Sequence, residues 1–269
     1  MIFEKAPAKI NLALHVLGRR LDGYHDLDSI VAFADVGDEL VISESHRNSL
    51  QVDGAFAEDV PLGEDNIIWK AWRLLSEHYP LPFVTVGLTK NLPVASGIGG
   101  GSADAAAMLR GLLRLVDKNL SEEHVMQFAR TLGADVPVCF YSKACRMTGI
   151  GESISVLTEH LPEALVLINP RVGCSTPDIF REMNLKPGQN CKLNDELWRN
   201  DMTEAALRVQ PMIADVLRAL ENQYIGPARM SGSGATCFAE AKSFAMAENA
   251  AANLTLKFPQ WWVKAARLI

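Results

Sequence analysis

The chain has 269 residues, 48% of them hydrophobic, and a net charge of −6 at pH 7. Its length and apolar content suit a folded protein at the size where one core gives way to two domains, and its scattered Lys and Arg leave no electrostatic footprint for nucleic acid. Glu4 and Lys5 precede any apolar run and nothing approaches the roughly 18 apolar residues of a membrane span, so neither a signal peptide nor a span is expected and the chain reads as cytoplasmic.

Residues 9 to 17 alternate as a strand. Ile10, Leu12, Leu14 and Val16 lie on one face and Lys9, Asn11, Ala13 and His15 on the other, so Lys9 and Asn11 project in the same direction. A turn over 19 to 23 follows, and 39 to 43 and 83 to 89 read as strands. Residues 66 to 77 read as a helix with Asp65 as its candidate cap. After Lys90 comes Pro93-Val94-Ala95-Ser96-Gly97-Ile98-Gly99-Gly100-Gly101-Ser102-Ala103-Asp104, a glycine cluster that runs into a helix. Gly97, Gly99, Gly100 and Gly101 lack a Cβ and let successive N–H groups converge on an anion. Ser102 reads as the N-cap, with the helix from Ala103 burying Met108, Leu109, Leu112 and Leu113. The loop lacks the Gly-Lys-Ser/Thr ending of a P-loop, and its glycine spacing misses the dinucleotide fingerprint.

Ser121 caps a further predicted helix through Val125, Phe128 and Leu132 to Gly133. After a turn at Gly149 to Glu152, the second half begins near 160. Its predicted order is strand (164 to 168), helices (from about 176, and 211 to 223), strands (228 to 231 and 235 to 240), helix (243 to 254) and strand (261 to 268), close to β-α-β-β-α-β. The five cysteines, an odd number with no Cys-x-x-Cys, read as reduced small hydrophobes; nothing beside Cys139 would lower its pKa.

Five stretches in order, Ala6-Pro7-Ala8-Lys9-Ile10-Asn11-Leu12, Asp22-Gly23-Tyr24-His25, the glycine loop, Leu132-Gly133-Ala134-Asp135-Val136-Pro137 and Ser231-Gly232-Ser233-Gly234-Ala235, together with Asn200-Asp201, carry a resemblance to the GHMP small-molecule kinases. The resemblance implies a two-domain α+β fold: an N-terminal mixed α/β domain over 1–157, a C-terminal ferredoxin-like domain over 158–269, and an active site in the cleft between them. It implies ATP with Mg²⁺ as cofactors and, as substrate, an alcohol carrying a cytidine diphosphate group on the non-mevalonate isoprenoid route. No nucleic acid or membrane partner is expected, and the assembly is expected to be a monomer or weak homodimer.

By the same resemblance, residues 94 to 104 cradle the triphosphate, Asn66 lies near the adenine and Lys90 is a further phosphate candidate. Asp135 orients or deprotonates the hydroxyl and Lys9 supplies positive charge for the transfer. Tyr24 and Phe180 stack on the two faces of cytosine, His25 reads its edge, and Thr176 and Asn11 join that pocket. Ser102 is a candidate Mg²⁺ ligand in a set that stays open. Without the resemblance, Asp135 is a cap or turn residue, Lys9 a strand-edge lysine, Asn66 a helix cap, Tyr24 and Phe180 core aromatics, His25 a surface turn residue and 231–234 a hairpin turn. Ala95 and Ser96 stand where the family commonly has glycine, so each must avoid left-handed φ or bear strain. Two rivals share the fold: a kinase for a homoserine- or mevalonate-type alcohol, opposed by Tyr24, His25 and Phe180, and a silent nucleotide-binding regulator, opposed by Lys9 and Asp135.

Overall fold

The computed structural model describes residues 1–117, 120–157, 160–191 and 196–269. In chain order the elements are β1 (Ile2–Arg19), β2 (His25–Glu44), β3 (Ser49–Asp53), α1 (Ile67–Ser76), β4 (Val84–Thr89), α2 (Gly100–Leu115), α3 (Glu122–Leu132), α4 (Val136–Tyr141), β5 (Cys145–Gly149) and β6 (Ser153–Val156). Then follow β7 (Ala164–Asn169), α5 (Thr176–Met183), α6 (Thr203–Val209), α7 (Met212–Glu221), β8 (Ala228–Met230), β9 (Cys237–Ala241), α8 (Phe244–Lys257) and β10 (Trp262–Arg267). Two compact units interleave along the sequence. The first comprises Met1–Ala8, Val36–Val94 and Gly99–Ser142; the second comprises Lys9–Asp35, Ala95–Ile98 and Lys143–Ile269. Thr158, the first residue of the expected second domain, lies outside the described residues.

In the first unit the later part of β2 pairs antiparallel with β4, placing Leu40 opposite Leu88 and Ile42 opposite Val86, and β3 runs parallel to β4. Helix α1 packs on α2 and α3, and α2 on α4. Leu40, Ile42, Ile68, Leu75, Leu88, Leu92 and Met108 are fully buried here, the apolar area that holds these helices on the strands. Two predicted helix starts are corrected. Asn66, not Asp65, caps α1, because its extended backbone lets its side chain accept from the Ile68 N–H at 2.8 Å. Helix α2 starts at Gly100 rather than Ala103: Gly99 takes a left-handed φ of 64° and turns the chain, leaving Ser102 inside the first turn. Ser121 caps α3 as expected, accepting from the His124 N–H.

In the second unit the early part of β2 pairs with β5, with Leu27 opposite Gly149, and β5 forms a hairpin with β6. A separate four-stranded sheet has the order β10-β7-β9-β8, antiparallel throughout, with α8 and α7 packed against it. That is the predicted β-α-β-β-α-β unit, with α5, α6 and α7 where one helix would suffice. Val166, Ile168, Ile213, Val216, Leu220, Met230 and Leu254 belong to its core. Helix α6 is missing from the sequence reading because only Ala205 and Ala206 are buried in it, too little apolar pattern to register.

Strand β1 is twice the predicted length and, from Ala6 to Val16, buried on both faces, including Lys9, Asn11 and His15. Its alternation therefore separates apolar from polar neighbours rather than core from solvent. Among the described residues, no helix is long and apolar enough to cross a membrane.

Candidate active site

In the second unit the start of the glycine loop is clamped by main-chain bonds. The Lys9 N–H donates to the Ile98 carbonyl at 3.0 Å, the Thr236 N–H to Ser96 at 3.1 Å, and the Cys174 N–H to Ala95 at 3.0 Å. Gly97 lies against the 231–234 hairpin so closely that a Cβ on it would stand 2.4 Å from the Ser231 carbonyl oxygen and 2.7 Å from the Gly234 nitrogen. The small residues of that hairpin serve this approach and do more than turn the chain. Ser231 also accepts the Asn11 N–H at 3.0 Å, while the Asn11 side chain donates to Ser29 at 2.8 Å. Asn200 fixes the hairpin from beneath by donating to the carbonyls of Met230 and Gly232, each at 2.8 Å. Thr176 shares a hydrogen bond of 2.7 Å with Ser233. The structure thus brings Lys9, Asn11, Thr176 and residues 95 to 98 around one hairpin.

Of the two residues that stand where glycine is common, Ala95 bears the strain. Its φ is +50°, a left-handed conformation that crowds Cβ against the backbone, whereas Ser96 is not among the positive-φ residues and is buried.

In the first unit Gly99 to Asp104 form the opening turn of α2; the N–H groups from Gly99 to Ser102 precede its first intrahelical bond, which the Ala103 N–H donates to the Gly99 carbonyl at 2.8 Å. Lys90, the further phosphate candidate, is held by two carboxylates. It is 3% exposed, and its ammonium donates to Asp38 Oδ2 and Asp104 Oδ2, each at 2.6 Å. Asp38 Oδ1 in turn accepts the N–H groups of Asn91 and Leu92 at 2.6 and 2.9 Å. A buried lysine between two carboxylates anchors the segment before the loop to the first turn of α2. Burial, together with the neighbouring Asp38 charge, pushes Asp104 up to about 7, and the two carboxylates hold Lys90 protonated above its ordinary value against the opposing effect of burial. Asn66, expected beside the adenine, uses its side chain on the Ile68 N–H and on the Pro61 carbonyl, to which it donates at 2.6 Å.

Asp135 occupies the residue before α4, yet its side chain makes no capping hydrogen bond; the backbone closes that turn, with the Cys139 N–H donating to the Asp135 carbonyl at 3.1 Å. Capping does not explain this carboxylate.

Among the residues assigned to the base pocket, His25 and Phe180 meet: the two rings stack with centroids 4.1 Å apart and planes 9° from parallel. Tyr24 precedes β2 in the turn and is 62% exposed, whereas His25 begins the strand. His25 Nε2 is buried without a hydrogen-bond partner, and burial and the Arg19 charge hold the imidazole below its ordinary pKa, so it is a neutral donor and acceptor.

The sequence reading missed Asp38, Ser29 and Arg110. Asp38 stands just before the predicted strand over 39 to 43, and its partner Lys90 lies 52 residues away, so no local pattern joins them. Burial is the main cause raising the thiol pKa of Cys145, Cys174, Cys191 and Cys237, which leaves them unreactive.

Sequence profiles for the GHMP kinases N terminal domain and the GHMP kinases C terminal domain match residues 66–143 and 186–260. A 4-diphosphocytidyl-2-C-methyl-D-erythritol kinase of Roseobacter denitrificans is 45% identical over 281 residues, covering 98% of this chain and 92% of its own. One of Ruegeria pomeroyi is 46% identical over 286 residues, covering 98% of each. A crystal structure of 4-(cytidine 5'-diphospho)-2C-methyl-D-erythritol kinase superposes with a TM-score of 0.82 at 28% identity over 99% of both chains. A homoserine kinase from Cytophaga hutchinsonii shares the fold alone, with a TM-score of 0.68 at 18% identity over 99% of this chain and 94% of its own.

Proposed function

The chain belongs to the GHMP kinase family, among its 4-diphosphocytidyl-2-C-methyl-D-erythritol kinases, and from that premise we infer how its own residues carry the phosphoryl transfer. It is an ATP-dependent kinase that phosphorylates the 2-hydroxyl of 4-diphosphocytidyl-2-C-methyl-D-erythritol, giving ADP and the 2-phosphate for isoprenoid precursor synthesis. The observation that carries this reading is near-full-length identity of 44–46% to several such kinases, joined to a glycine loop that opens α2.

Residues 94 to 104 bind the triphosphate. The N–H groups of Gly99 to Ser102 meet the phosphates, where the positive end of the α2 dipole favours the anion. Lys90 and Asp104 act behind that surface by fixing the first turn of α2. Asn66 stays in the adenine region by holding the start of α1. Ser102 fits Mg²⁺: it is a partly exposed hydroxyl beside phosphate-binding N–H groups, and a cation that keeps its waters and leans on substrate phosphates needs few protein ligands. When bound, Mg²⁺ supplies charge that offsets the phosphate oxygens.

Asp135 orients the 2-hydroxyl and receives its proton as the transferring phosphoryl group withdraws charge from that oxygen. Lys9, 4% exposed and with its main chain bonded to the loop at Ile98, supplies the cation for the transfer. His25 Nε2 reads the cytosine edge, Tyr24 and Phe180 give the base its aromatic surfaces, and Asn11 and Thr176 complete the pocket. We place the sequence-domain boundary at 157/158, between the two matched segments, and the protein in the cytoplasm as a monomer or weak homodimer.

The test is turnover. Asp135→Asn and Lys9→Ala should each lower kcat by about a hundredfold or more with folding preserved, and near-normal turnover in either folded variant would remove that residue from the mechanism.

A further inference from the structure

We propose that Arg110 is a positioning residue for phosphoryl transfer: its guanidinium ties α4, and with it Asp135, to the helix whose first turn forms the phosphate cradle. The inference rests on the reading of Asp135 given above.

Arg110 projects from α2, ten residues beyond Gly100. Its Nη1 donates to the carbonyls of Cys139 and Phe140 at 3.1 and 3.2 Å, near the C-terminal end of α4. Nη2 donates to the Lys5 carbonyl at 2.5 Å, on the strand that reaches Lys9 four residues later. Nε donates to Glu4 Oε2 at 2.9 Å, and the guanidinium lies 5.9 Å from the centre of the Phe140 ring. Glu4 is itself buried and also pairs with Arg114 at 2.7 Å, so the cluster holds its charge largely among its own members.

Helix α4 has six residues, too few to be stable alone, and the last carbonyls of a helix lack partners within it. A cation donating there satisfies those oxygens and complements the dipole. Because α4 packs on α2 and begins directly after Asp135, a rigid hold at its far end fixes where that carboxylate stands relative to the cradle. Four hydrogen bonds to three carbonyls and a carboxylate need the planar fork of arginine; a lysine ammonium has three donors at one point. No substrate contact is assigned to Arg110, so it acts through Asp135.

The experiment is steady-state kinetics with ATP and the cytidylated methylerythritol for Arg110→Gln, Arg110→Lys, Asp135→Asn and the double variant Asp135→Asn/Arg110→Gln. Folding of each is checked by circular dichroism. Arg110→Gln should lower kcat about tenfold or more while both KM values stay within about twofold, and Arg110→Lys should restore little of it. In the Asp135→Asn background, Arg110→Gln should lower kcat no further, because the group it positions has gone. Wild-type kcat in folded Arg110→Gln, or an equal loss in both backgrounds, overturns the proposal; should Arg110→Gln not fold, Arg110→Lys in the same two backgrounds decides it by the same criteria. Wild-type turnover in Asp135→Asn overturns the reading of Asp135 and this proposal together, whereas loss there with none at Arg110 overturns this proposal alone.

Discussion

The Ser231 hydroxyl donates to the Gly97 carbonyl at 3.0 Å and ties the hairpin between β8 and β9 to the middle of the glycine loop. With Gly97 at a φ of +75° and the Ser231 carbonyl oxygen 2.4 Å from where a Cβ would stand, no side chain fits there. Gly97→Ala should cost about 2–5 kcal/mol in urea unfolding, the sum of left-handed strain and overpacking, and should raise the KM for ATP. Gly101→Ala meets nothing within 4 Å and should leave stability unchanged or slightly higher. Equal stability of the two variants would contradict the close approach.

Ala95 gives the opposite sign. Its φ of +50° is costly for any residue with a Cβ, so Ala95→Gly should raise stability, by up to about 1 kcal/mol once the greater freedom of glycine in the unfolded chain is subtracted. A thermal melt that drops by several degrees would show that Ala95 sits in an unstrained conformation.

What could be read from the sequence follows from range. The loop, its helix and the β-α-β-β-α-β order rest on local patterns, and Ser121 and the small 231–234 run were legible for the same reason. The partners of Lys90 and the stacking of His25 on Phe180 depend on residues 14 to 155 positions apart, which no period or spacing records. The start of α2 was misplaced because Ser102 has ideal cap chemistry, while the conformation that decides the matter belongs to Gly99.

The buried carboxylate pair around Lys90 makes stability depend on pH. Unfolded, Asp104 titrates near its ordinary 3.8; folded, burial and Asp38 raise it to about 7. Between those values the folded state holds the extra proton, so this group's contribution to stability is full below about pH 4, falls as pH rises towards 7 and then levels. The urea midpoint of the wild type relative to Asp104→Asn should follow that course. Parallel profiles for the two proteins would show that Asp104 titrates alike in both states.

Phe180 and His25 should govern the cytidine end alone. Phe180→Ala should weaken binding of cytidine diphosphate by about tenfold to a hundredfold, roughly 1–3 kcal/mol, and leave ATP affinity unchanged in titration calorimetry. Since His25 is held neutral, cytidine diphosphate binding to the wild type should be flat from pH 7 to 8 as far as this residue is concerned. Equal losses for both nucleotides in Phe180→Ala would move the base pocket elsewhere.

This chain moves a phosphoryl group from ATP to the 2-hydroxyl of a cytidylated methylerythritol. The direct measurement is ADP release by the purified protein with 4-diphosphocytidyl-2-C-methyl-D-erythritol, mevalonate or homoserine as acceptor. Release should be rapid and stoichiometric with the 2-phosphate for the first, near background for the other two, and lost in Asp135→Asn. Comparable rates with mevalonate or homoserine, or no release with the cytidylated acceptor, would contradict the account.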